Sequence, residues 1–149
     1  MKKKATILFL CSVVAGCAPV QEKIKITSSG MPEGDFIKKN LDEVRNILIG
    51  GCISKGIPVL ETNSNSIVCS KELDGGRAMI AQMAIGNSHS TTPRAKVRFM
   101  FYQMGADVRV TSTQWLETQM AFGQVNTMSM DGNNDFNSIQ QFLYSLGAK

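Results

Sequence analysis

The feature that most constrains this chain is a change in the spacing of its apolar residues. Ile37, Leu41, Val44 and Leu48 recur at helical spacing near one end, and Phe136, Ile139, Leu143 and Leu146 do so at the other. Between them the spacing shortens to the two-residue alternation of strands. The spacing predicts a first helix from near Asp35, whose carboxylate suits the free amides and positive dipole at a helix start. Phe36 and Ile47 widen its apolar stripe. Gly50-Gly51 is expected to end this helix, with Cys52 just past it. Pro58–Glu61 and Ser66–Cys69 flank Thr62-Asn63-Ser64-Asn65 and read as a hairpin. In 77–86, Met79, Ala81, Met83 and Ile85 alternate behind the turn residues Asp74-Gly75-Gly76, which predicts a strand, although the alanine and methionine content also suits a helix. Val97, Phe99 and Phe101, then Val108 and Val110, predict two more strands joined at Met104-Gly105-Ala106-Asp107. Residues 121–134 read as irregular. The last helix begins near Asn134 or Asp135, carries Phe142 beside its stripe and ends at Gly147. The expected fold is α+β, an antiparallel sheet of four to five strands with an N-terminal and a C-terminal helix packed on one face.

The start of the chain does not belong to that pattern. Lys2, Lys3 and Lys4 precede an apolar run of 11 residues, Ala5–Ala15, broken only by Thr6 and Ser12. Such a run is too short for a bilayer core, which needs roughly 20 residues, and with its positive start it reads as an export signal. Val14-Ala15-Gly16-Cys17 resembles the lipobox of bacterial lipoproteins, an aliphatic residue and two small residues before a cysteine. The resemblance covers residues 1–17. It implies cleavage before Cys17, a diacylglycerol thioether on the Cys17 sulfur, and an N-acyl chain on the freed amine. The bare alternative is a secreted protein cut at Ala15 or Ala18. Residue 18 is Ala rather than the Asp that retains enteric lipoproteins at the inner membrane, so the resemblance points to the outer membrane, facing the periplasm. Domain organisation follows: 1–16 signal peptide, 17–34 lipidated cysteine and flexible tether, 35–149 one periplasmic domain. The Lys-Ile-Lys-Ile run, Lys23–Ile26, offers a second reading of part of the tether as an edge strand.

Cleavage also changes the charge. The whole chain has 16 basic and 12 acidic side chains, and removal of three lysines leaves 13 against 12. The basic excess therefore gives no reason to expect nucleic acid. Two cysteines, Cys52 and Cys69, remain besides Cys17 in the mature chain, and an even pair outside the cytoplasm suggests a disulfide, with two buried thiols as the alternative.

Little of the sequence looks catalytic. His89 is the single histidine and sits between serines in a polar loop, with no acid marked to orient it. A metal site is not expected, because close cysteine spacing is missing too. Asp35, Asp42, Glu43 and Glu61 sit where caps and solvated faces put them. The glycines form no phosphate-cradling pattern. Met79, Met83, Met100, Met104, Met120, Met128 and Met130 read first as core filling and second as an adaptable binding surface. Tyr102 and Trp115 are candidate partner-binding residues on a sheet face. The expectation is a non-enzymatic lipoprotein held on the membrane by its lipid, without other cofactor, binding another envelope protein. A lipid- or small-ligand-binding module, and a plasmid- or phage-encoded exclusion or secretion accessory, are the alternatives.

Overall fold

The computed structural model describes residues 21–149, so Val14, Ala15, Gly16 and Cys17 lie outside the described residues. Nine regular elements follow in the order β1 (Glu33–Phe36), α1 (Leu41–Ser54), β2 (Val59–Thr62), β3 (Ser66–Glu72), α2 (Gly75–Ile85), β4 (Arg94–Met104), β5 (Asp107–Gln119), β6 (Val125–Ser129) and α3 (Asn133–Ser145), with a short 3-10 turn at Ala121–Gly123. The architecture is mixed α+β, and all six strands form one antiparallel sheet.

The sheet is organised by the β4–β5 hairpin. Its register runs unbroken from Arg94↔Glu117 to Met104↔Asp107. The link is the two-residue turn Gly105-Ala106, with Gly105 at φ +61°, the left-handed geometry that a tight hairpin asks of its first central residue. β3 and then β2 add on the far side of β4. β5 takes two partners on its other edge, β1 along Val108–Thr111 and β6 along Trp115–Gln119. The free edge of β1 is closed in turn by Lys149, which exchanges both backbone hydrogen bonds with Asp35 at 3.1 and 3.0 Å.

Cross-strand partners share a face, so alternation sorts the two sides of the sheet. Phe99 and Phe101 of β4, Val108 and Val110 of β5, and Ile67 and Cys69 of β3 are buried with Val44, Leu48 and Cys52 of α1 and Leu143 of α3. Further along the same side, Ala95 and Leu116 pack against Ala81 and Ile85 of α2. All three helices thus cover one face, and none covers the other.

Several expectations need correction. The first helix does not begin near Asp35. Asn40 and Glu43 form a reciprocal capping box, with hydrogen bonds of 2.9 and 3.0 Å, and start α1 at Leu41. Two satisfied amides there outweigh the single cap that Asp35 would offer; Asp35 lies in β1, bonded to Arg109. Gly50-Gly51 does not end α1. A Cβ on Gly51 would stand 2.8 Å from Leu146 and 2.9 Å from Phe142, so this glycine allows α1 and α3 to approach. The helix stops only before Gly56, at φ +67°. Cys52 is therefore inside α1.

Residues 77–86 are not a strand. Ala81 and Ile85 lie four apart on one helical face, and that face rather than the alternating set is buried. Residues 125–129 are a strand although all five are exposed. β6 buries no side of its own and owes its form to pairing with β5. The sheet accordingly has six strands rather than four to five.

The described residues before 35 are bound to the domain from Glu22 onward. Glu33 and Gly34 belong to β1, and Lys23–Ile26 forms no strand. Two amides on α3 grip this segment instead. Asn137 Nδ2 donates to Glu22 O at 2.7 Å, and Asn137 Oδ1 accepts from Ile24 N at 2.8 Å. Gln140, fully buried, donates to Glu33 O at 2.8 Å and accepts from Glu33 N at 3.0 Å. Gln140→Ala is expected to leave the buried Glu33 N–H without this partner and Glu33 O with only the 3.4 Å contact from Lys25 Nζ, and to cost about 1–3 kcal/mol, whereas the exposed neighbour change Gln141→Ala stays within about 0.5 kcal/mol. Equal urea midpoints for the two variants would show that the grip contributes nothing.

Candidate functional site

The uncovered sheet face is the first candidate. On β4 the residues between Phe99 and Phe101 and beyond them point away from the helices, and Met100, Tyr102 and Met104 are 37, 47 and 45% exposed. Tyr102 stands opposite Arg109 and Trp115 opposite Lys96, which puts both expected partner-binding residues on this face. They do not form one cluster. Lys96 and Tyr102 are six residues apart on one strand, a span of roughly 20 Å. Tyr102 belongs to the methionine row, whereas Trp115 is half-buried at the other end of the face.

Trp115 is held in a polar setting. Its Nε1 donates to Glu117 at 3.2 Å, Lys96 pairs with the other oxygen of that carboxylate, and the Arg98 guanidinium lies 5.5 Å from the indole centre. Burial raises the Glu117 carboxyl's pKa, but the hydrogen bonds from Lys96 and Trp115 outweigh it and leave the group below its ordinary value. On the same face Arg109 grips Asp35 with two hydrogen bonds of 2.7 and 2.8 Å. Those bonds hold the Asp35 carboxyl below its usual range against partial burial, and they hold Arg109 above its own. Glu33 is also lowered, because hydrogen bonds from Ser29 and Ser28 exceed the opposing effect of burial.

A pH dependence follows with a definite sign. Carboxylates whose folded pKa lies below the unfolded value stabilise the fold above that unfolded value and cease to do so as pH falls through the folded one. The urea midpoint is expected to hold from neutral pH down to about 5 and to fall as pH drops below the ordinary values of 4.5 and 3.8 for these groups. Partial exposure keeps the effect modest. Asp35→Asn should flatten the decline; an unchanged acid limb in that variant would exclude the Asp35–Arg109 pair as a source.

The second candidate lies on the helix side. A cleft of about 490 Å³ opens between the end of α1, α3 and β4. Ile57, Val97, Phe99, Ile139 and Phe142 supply its apolar wall beside Cys52, and Lys55, Ser138, Gln141 and Ser145 supply polar groups. The Cys52–Cys69 disulfide lies at this wall, its Cα atoms 6.6 Å apart. Such a surface can hold an apolar chain with a polar or anionic end at Lys55. Sequence reasoning missed the cleft because it exists only where α1 meets α3. It also missed the amide grip, although Asn137 and Gln140, three apart within an apolar stripe, were visible as polar residues at core positions.

The remaining expected residues take no part in a shared arrangement. His89 is exposed, its backbone amide donating to Asn87 at 2.8 Å. Core filling describes Met130, which packs against the Ala81, Ile85 and Leu116 cluster, but not most of the methionines. Met79, Met83, Met100, Met104 and Met128 are exposed, and Met120 and Met130 are half-buried. The inward positions of α2 and β4 are taken by Ala81, Ile85, Phe99 and Phe101, which leaves the methionines on the outward ones. Among the described residues, no three His, Cys, Asp or Glu side chains converge as metal ligands, and no helix is long and apolar enough to cross a membrane.

The fold and these two surfaces define a single-sheet α+β domain with one bare sheet face and an apolar cleft. No known protein family, curated protein or solved structure matches the chain.

Proposed function

We propose that this chain is an outer-membrane lipoprotein, acylated at Cys17 and facing the periplasm, whose non-enzymatic domain binds another envelope protein through its bare sheet face. The observation that carries the binding part is the row Met100, Tyr102 and Met104, large side chains exposed together on a face that no helix covers. Aromatic residues and methionine are the types enriched where protein surfaces meet. The anchor rests on the lipobox, and the disulfide suits an oxidising compartment.

Recovery of a partner from envelope extracts by the wild-type protein, and its loss with Met100→Ser/Tyr102→Ser, is the expected result. These side chains are exposed, so the variant should fold. Equal recovery by both proteins, or a monodisperse monomer with no partner, would contradict the reading.

The cleft supports a second reading, a carrier of a lipid or another small apolar ligand. Native mass spectrometry of the protein taken from the envelope should then show a bound small molecule that Ile139→Glu abolishes. A ligand-free spectrum would remove it.

A further inference from the structure

We propose that Lys23–Ile26, as displayed on α3, is a membrane-contact patch that seats the domain on an anionic lipid surface. The proposal rests on the acylated Cys17 for its leash, and on the structure for the patch itself. Expected as part of a free tether, the segment is fastened from Glu22 onward by the Asn137 amide. Five residue steps therefore separate Cys17 from the first fastened residue, and they reach about 17 Å at full extension. A domain so tied cannot roam. The surface around Glu22 must stay near the headgroups.

That surface has the composition the interface favours. Ile24 is 45% exposed, Ile26 96% and Tyr144 40%. Lys23 reaches over the Phe136 ring at 4.5 Å, and Lys25 lies 5.8 Å from the Tyr144 ring. Their ammonium groups donate to backbone carbonyls, Lys23 to Gly30 and Lys25 to Glu33 and Lys149. Among the described residues, Lys23, Lys25 and Lys149 form no ion pair. The neighbouring acids are the exposed Glu22, Asp35, already bonded to Arg109, and Glu33, whose carboxylate accepts from Ser28 and Ser29. Lys23 and Lys25, alternating with two exposed isoleucines and set beside Tyr144, complement phosphate headgroups above an acyl layer. A lipid chain and a basic patch are the two signals that together make a stable anchor. Another large exposed apolar surface, Met79, Ile80 and Met83 on α2, has one basic residue on its helix, Arg77, and is not reached by this argument.

The test uses the acylated protein reconstituted into two kinds of vesicle, phosphatidylcholine alone and phosphatidylcholine with phosphatidylglycerol, each carrying a photoactivatable lipid. Cross-links are expected at Ile24, Ile26 and Tyr144, in higher yield on the anionic vesicles. Lys23→Glu/Lys25→Glu should lower that yield about tenfold or more. Ile26→Ser, at a nearly fully exposed position, should lower it with no change in thermal melting. Equal yields for all three proteins, or cross-links concentrated on Met79, Ile80 and Met83, would overturn the proposal. An intact mass without acyl chains would instead refute the anchor, and the same vesicles would still report on the patch.

Discussion

Phe99→Ala is expected to remove about 3–5 kcal/mol of stability, the range for deleting a buried phenylalanine from a packed core. Phe99 sits mid-way along β4, fully buried, with its ring centre 5.6 Å from that of Phe142. It joins the sheet to both terminal helices, since the same cluster holds Val44, Leu48 and Leu143. Its ring also floors the cleft, so truncation opens a void continuous with that cleft. Urea unfolding should show a lowered midpoint with an unchanged slope. Tyr102→Ala, three residues further on the exposed face, should cost far less. A loss below about 1 kcal/mol for Phe99→Ala would mean that the core is not organised around this strand.

Breaking the disulfide is expected to cost about 3 kcal/mol in the chain-entropy account. The two cysteines are 17 positions apart, buried to 1 and 0% exposure, and they tie α1 to β3 across the hairpin arm β2. Freed from the bridge, the unfolded chain gains the entropy of an open loop, whereas the native thiols stay in an apolar site that accepts them. Urea unfolding with and without reductant should separate by that amount, and Cys52→Ala/Cys69→Ala should match the reduced wild type within about 1 kcal/mol. Coincident transitions with and without reductant would contradict the bridge. Cys52 and Phe99 both line the cleft, so the two losses should not add when combined.

Most of the elements were legible from apolar spacing because each long element buries one clear stripe. The β4–β5 hairpin and α3 fall in this group, whereas the β2–β3 hairpin was legible from its turn residues, since β2 buries no side chain fully. The misread segments share a physical cause, which is that their form is set by a neighbour. β6 has no buried side and exists as an addition to β5. α2 buries only Ala81 and Ile85, and its outward methionines mimic strand alternation. Gly51 looks like a helix stop in one dimension and proves to be a point of close helix contact in three. The start of α1 was misplaced because Asp35 is a good cap in isolation, whereas its partner Arg109 lies 74 residues away. The site divides in the same way. Tyr102 and Trp115 were legible as residues on one sheet face, but the distance between them, the cleft and the grip of Asn137 and Gln140 are products of tertiary packing.

That grip changes the picture of the N-terminal segment. A free tether over residues 18–34 would let the domain reach far from its anchor. With Glu22 and Ile24 bound to Asn137, and Glu33 to Gln140, α3 holds the segment along the domain and shortens the leash to a few residues. On this account partners come to the bare sheet face of a domain held close to the bilayer.

The most direct measurement is the intact mass of the protein purified from the cell envelope, with and without reductant. The account predicts a chain that begins at Cys17, carries the mass of the acyl chains, and is two hydrogen atoms lighter before reduction because Cys52 and Cys69 are joined. An unacylated chain that retains residues 1–16 and has the same mass in both states would contradict it.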